Sequence, residues 1–184
     1  ILGWYFSYVP LGRHPHMELM ATTQQRKELL EKINYYRGTK PILLASFFNE
    51  GQIVGGCMAA GRKYFHINAQ GAVEPCVFCH FAVDNIKDKT LREVLNSPYF
   101  KVFRSRMPFG ENLLRPCPLH DHPWAMREVV KEAKAHPTYK GAEHVFTDLA
   151  QPLDDYAREW KRVADPIWEK EYKKKAEAKK RRSA

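Results

Sequence analysis

The apolar positions of this chain fall into two kinds of pattern, and the change between them predicts where its architecture changes. Residues 3–9 (GWYFSYV) and 41–48 (PILLASFF) are continuous aromatic and aliphatic runs without polar alternation, as in strands covered on both faces. Between them Leu29, Leu30, Ile33 and Tyr36 recur at helical spacing. Thr22 with Gln25 predicts a capping box at the start of that helix, and Gly38 predicts its stop. Strand, helix and strand in this order predict a βαβ unit of a parallel sheet.

Further on the period shortens. Residues 63–68 (KYFHIN) alternate, residues 68–71 read as a turn with Gly71 at a positive φ, and residues 72–78 run back, which predicts a hairpin. Residues 81–88 read as a loop. Thr90 with Glu93 predicts a second capping box, for a short helix that breaks at Ser97-Pro98. Another helix is expected over 99–106, with Phe100 and Phe103 on one side and Arg104 and Arg106 either solvated or near an acidic cofactor group. Residues 107–123 are irregular, with prolines at 108, 116, 118 and 123. Residues 124–135 predict an amphipathic helix stopped at His136-Pro137. A last helix is expected over 149–175, its apolar stripe made of Leu153, Tyr156, Trp160, Val163, Ile167 and Trp168, kinked or divided at Pro166.

Composition narrows this picture. A chain of 184 residues with 44% hydrophobic content can bury one core and holds one domain or one and a half. It opens on Ile in a strand, so it is expected to be a piece of a longer protein. No apolar run reaches the length of a membrane span. The net charge is +9, and the tail from Glu169 holds eight Lys/Arg against three Asp/Glu. That tail reads as a solvated helix end; the alternative is contact with a polyanion or a membrane surface. The neighbouring aromatics keep helical spacing and are not interleaved for base stacking, which speaks against a basic nucleic-acid-binding module.

The chemistry lies in the cysteines. All four, Cys57, Cys76, Cys79 and Cys117, fall between positions 57 and 117. A hairpin returns its ends to one place, so it would bring Cys57 near the Cys76-x2-Cys79 pair. Four thiolates at one point would suit zinc or an iron–sulfur cluster. The alternatives are buried thiols, a redox dithiol or a disulfide. His80, His120 and His122 are possible substitute ligands, or ordinary hydrogen-bonded histidines. Tyr64, Phe65, Val77, Phe78 and Phe81 are candidates for an apolar shell around the site. Cysteines clustered as ligands argue for a reducing compartment, and a cytoplasmic location is expected.

Gly55-Gly56-Cys57, Tyr64, Ile67, Gly71, Val73, Pro75-Cys76, Asp84-Asn85-Ile86 and Pro116-Cys117-Pro118 together resemble the C-terminal auxiliary-cluster domain of radical S-adenosylmethionine enzymes, SPASM in its long form and twitch in its short form. The resemblance covers about residues 55–120. It implies an α/β (α+β) architecture: the last βαβ unit of a partial (β/α) barrel over 1–50, an auxiliary-cluster domain over 51–123, and a helical extension over 124–184. It also implies one auxiliary [4Fe–4S] cluster on Cys57, Cys76 and Cys117. Cys79 departs from the family pattern, because the further cysteines of the long form are missing. The family's catalytic Cys-x3-Cys-x2-Cys loop is absent from this sequence. S-adenosylmethionine would therefore be bound mainly by parts outside it, in a missing barrel portion or a separate catalytic chain. An electron donor and an unidentified substrate are the remaining partners the resemblance implies, and a structural zinc module is the alternative function.

Overall fold

The computed structural model describes residues 1–175. Strand β1 (Leu2–Tyr5), helix α1 (Thr23–Thr39) and strand β2 (Leu43–Ser46) form the expected unit, with β1 and β2 parallel and Leu2 opposite Leu43. The capping box at Thr22 and Gln25 is present. Gly38 does not stop α1, which runs through it to a cap at Lys40. Its buried positions are Thr23, Arg26, Leu30 and Ile33, whereas Tyr36 stays exposed.

The strands are shorter than predicted, and the sheet is not covered on both faces. Leu2, Trp4, Phe6 and Leu43 are all more than half exposed. Trp4, Phe6 and Phe47 instead pack on one another, with ring centroids 5.1–6.3 Å apart.

A short helix α2 (Gly51–Val54) leads to the hairpin of β3 (His66–Ile67) and β4 (Val73–Glu74). These strands are antiparallel, with Ile67 opposite Val73. Asn68 Oδ1 accepts the amides of Gln70 and Ala72, and Gly71 takes φ +87°, a region costly for a side chain. The expected loop at 81–88 is in part a strand. Strand β5 (Phe81–Ala82) pairs with β6 (His136–Pro137), and the Val73 amide donates to the Asp84 carbonyl. Two-residue strands leave no periodic pattern to read.

The helices α3 (Leu91–Leu95), α4 (Pro98–Ser105), α5 (Pro123–Glu132) and α6 (Ala150–Ile167) follow the predicted order. The Thr90–Glu93 capping box is present, and Ser97 caps α4 with Pro98 in its first turn. Helix α6 runs through Pro166 and then widens into a π turn over Trp168–Tyr172. Pro166 therefore does not divide the helix; the N–H its ring lacks would point back to Arg162, one turn earlier. Four of the eight Lys/Arg of the basic tail, at 179–182, lie outside the described residues.

The main core gathers Val73, Phe81, Tyr99, Phe100, Phe103, Met126 and Val129. A smaller one joins Leu30 of α1, Leu114 and the α6 residues Trp160 and Ala164. The fold is thus a mixture of helices and small sheets. Among the described residues no helix is long and apolar enough to cross a membrane.

Candidate metal centre

Three separate segments deliver the four cysteines to one place. The first follows α2. A Cβ on Gly51 would lie 2.2 Å from the Leu113 carbonyl oxygen and 2.8 Å from Pro116 Cβ. Only glycine allows this approach, which presses the start of the Cys57 segment onto the loop that carries Cys117. Arg62 then staples the segment by donating to the carbonyls of Val54 at 2.6 Å and Cys57 at 2.7 Å.

The second and third cysteines share a tight turn in which the Cys79 amide donates to the Cys76 carbonyl at 2.8 Å. Cys76 Sγ accepts from Tyr64 Oη at 2.6 Å and from the Phe78 amide at 3.5 Å. Cys79 Sγ lies 3.8 Å from Tyr99 Oη.

The Cys117 loop rests on a buried ion pair. The Cys117 amide donates to Asp121 Oδ2 at 3.0 Å, and Arg26 Nη1 donates to Asp121 Oδ1 at 2.9 Å. Arg26 comes from α1, and its guanidinium lies over the Trp160 ring of α6 at 4.2 Å. Two helices far apart in sequence therefore hold this loop. Burial opposes charge on Asp121, but Arg26 and His120 more than offset it and hold the carboxyl well below its usual range. Pro116 and Pro118 flank Cys117, and all three are buried.

The four cysteines line one cavity, closed mainly by Phe47, Phe48, Val54, Met58, Phe103 and Leu119. None of the four is in a disulfide. Of the expected apolar shell only Tyr64 lines the cavity. Phe78 packs behind Phe47 and Phe48, Phe65 lies against Phe100, and Val77 is turned outward and 38% exposed. The residues that close the cavity come from the turn after β2, from α2 and α4 and from the Cys117 loop, too distant in sequence to be paired in advance.

Burial pushes all four thiols above their usual range, Cys57 up to about 12. Such sulfurs become thiolates once a cation supplies the compensating charge. Burial also raises Tyr64 and keeps it in its neutral, proton-donating form.

Four cysteines are the thiol donors that line the cavity, a soft donor set that suits zinc or an iron–sulfur cluster.

The candidate histidines do not line the cavity. His80 Nδ1 lies 3.6 Å from Glu74 Oε2, His120 Nδ1 pairs with Asp121, and His122 Nε2 bonds the Arg115 carbonyl. The two arginines on α4 prove to be structural. Arg104 donates to the carbonyls of Ala60 and Leu95 at 2.8 Å each, and Arg106 pairs with Glu128 and Glu132. Reading the sequence missed Arg26, Asp121, Arg62 and Gly51. Only the Gly could have been flagged, as a glycine opening a helix.

No curated protein and no solved structure matches this chain. Residues 57–119 match the family model of SPASM, an iron–sulfur cluster-binding domain, and the matched segment contains all four cysteines.

Proposed function

We propose that this chain is the auxiliary-cluster portion of a radical S-adenosylmethionine enzyme, and that Cys57, Cys76, Cys79 and Cys117 hold one [4Fe–4S] cluster. The observation that carries this reading is the meeting of all four cysteines at one apolar cavity inside the segment matched by the SPASM model. Cys79 is read as the fourth ligand because it lines the same cavity and is 2% exposed. When bound, the cluster supplies one-electron redox chemistry. Four protein ligands leave no iron open, so electron transfer is favoured over direct substrate binding. The protein's own contribution is to hold the thiolates, exclude water with Phe47, Phe48 and Phe103, and fix the Cys117 loop through Asp121 and Arg26.

The rest of such an enzyme, with its Cys-x3-Cys-x2-Cys loop and S-adenosylmethionine, is assigned to another part of the protein or a separate catalytic chain. The sheet supports this. Its two parallel strands expose Leu2, Trp4, Phe6 and Leu43, whereas parallel sheets are built with both faces covered. Further parallel strands and their helices would cover it.

The test is anaerobic purification. A brown protein with absorbance near about 400 nm, containing iron and sulfide, is expected of thiolate-bound clusters. Cys57→Ala, Cys76→Ala and Cys117→Ala should each lose most of the iron, and Cys79→Ala should lose a comparable share. A colourless protein that binds zinc and no iron under reconstitution would overturn the reading.

A further inference from the structure

We propose that Tyr64 sets the reduction potential of the centre through the hydrogen bond from its hydroxyl to Cys76 Sγ. The inference rests on the cluster reading above and adds a role to one residue of this chain. The bond is 2.6 Å long and runs between partners twelve residues apart, across the hairpin. Cys76 receives a second donor from the Phe78 amide at 3.5 Å. The other hydroxyl donor is farther away, with Tyr99 Oη 3.8 Å from Cys79 Sγ, while Cys117 and Cys57 accept from backbone amides, Leu119 at 3.4 Å and Ala59. The closest side-chain hydroxyl at the cavity's sulfurs is therefore the one on Cys76.

Packing holds the ring in place for this contact. Tyr64 meets Phe47 edge-on, with centroids 5.7 Å apart at 72°. Phe47 is in turn held by Phe48 at 5.1 Å and Phe78 at 5.6 Å. A hydroxyl fixed this way donates to the sulfur without first giving up other bonds. A donor on a ligand sulfur draws electron density from the iron and stabilises the reduced form, which carries one more negative charge, so the potential rises. Losing the donor makes the cluster harder to reduce.

The experiment uses the full chain, reconstituted anaerobically and titrated with dithionite and mediators, its midpoint followed by absorbance and electron paramagnetic resonance. Wild-type protein that forms no cluster defeats the proposed function itself and the inference with it. With wild type loaded, Tyr64→Phe removes only the hydroxyl and is compared with Tyr99→Phe. The expected result is unchanged iron and sulfide in both variants. In Tyr64→Phe the midpoint falls by about 59 mV, a tenfold change in the one-electron equilibrium, with less than half that shift in Tyr99→Phe. Equal midpoints for Tyr64→Phe and wild type would overturn the inference while leaving the cluster reading intact. Equal shifts in both variants, or loss of the cluster from Tyr64→Phe alone, would also overturn it.

Discussion

Cutting the buried ion pair beneath Cys117 is a direct test of how the site is supported. The Arg26 and Asp121 side chains are 3% and 0% exposed, and their charged atoms are 2.9 Å apart. Removing one partner breaks the buried pair, at a cost of about 3–5 kcal/mol less what the His120 contact with Asp121 retains. In a chain of this size each kcal/mol moves Tm by about 2–4 °C, so Arg26→Met and Asp121→Asn should each lower Tm by roughly 6–20 °C. The double variant Arg26→Met/Asp121→Asn removes both charges together. It should therefore be much more stable than the sum of the two losses implies. Thermal unfolding of the reduced, metal-free protein, followed by circular dichroism, measures all four species. Single variants within about 2 °C of wild type, or a double variant whose loss equals the sum, would refute the argument that this pair acts as a desolvated unit.

Two further outcomes follow from the same geometry. Gly51→Ala places a methyl against backbone at 2.2 Å, so it should cost about 1–3 kcal/mol and lower iron retention, whereas Gly38→Ala, with open space around it, should be neutral or better; equal behaviour of the two in urea unfolding would count against the close approach. Burial first, and then Arg115, lower the His122 pKa from its ordinary 6.5. The unfolded chain thus takes up that proton more readily, and the contribution is present above pH 6.5 and lost as pH falls below it. His122→Gln should lessen the loss of Tm between pH 7 and 5, and an unchanged slope would show that another group controls it.

The local devices of this fold were legible because their parts lie within four residues of each other. The capping boxes at Thr22 and Thr90, the turn closed by Gly71 and the start of α4 at Ser97-Pro98 all stand where the pattern puts them. Of the longer stripe expected on the last helix, Leu153, Trp160 and Trp168 are buried, Tyr156, Val163 and Ile167 are half-buried, and Ala157 and Ala164 complete the buried face. The covering of β1 and β2 was not legible. A continuous apolar run does not say which face of a strand is covered, and Leu2, Trp4, Phe6 and Leu43 stay exposed.

The candidate site divides along the same line. The spacing of Cys57, Cys76 and Cys79 around a hairpin announced that three sulfurs would be neighbours, because a two-stranded turn brings its own ends together. The arrival of Cys117 at the same cavity depends on Arg26, 95 residues from Asp121, and on Gly51 lying against Leu113 and Pro116. Which distant side chains meet is selected by the packing of the whole chain, since burying one charge is tolerable only where another element brings its counter-charge. The sequence by itself therefore determined the type of candidate donor and placed three of the four on one hairpin and its exit. Only the tertiary structure decided that all four cysteines line one cavity, and which residues hold their segments there.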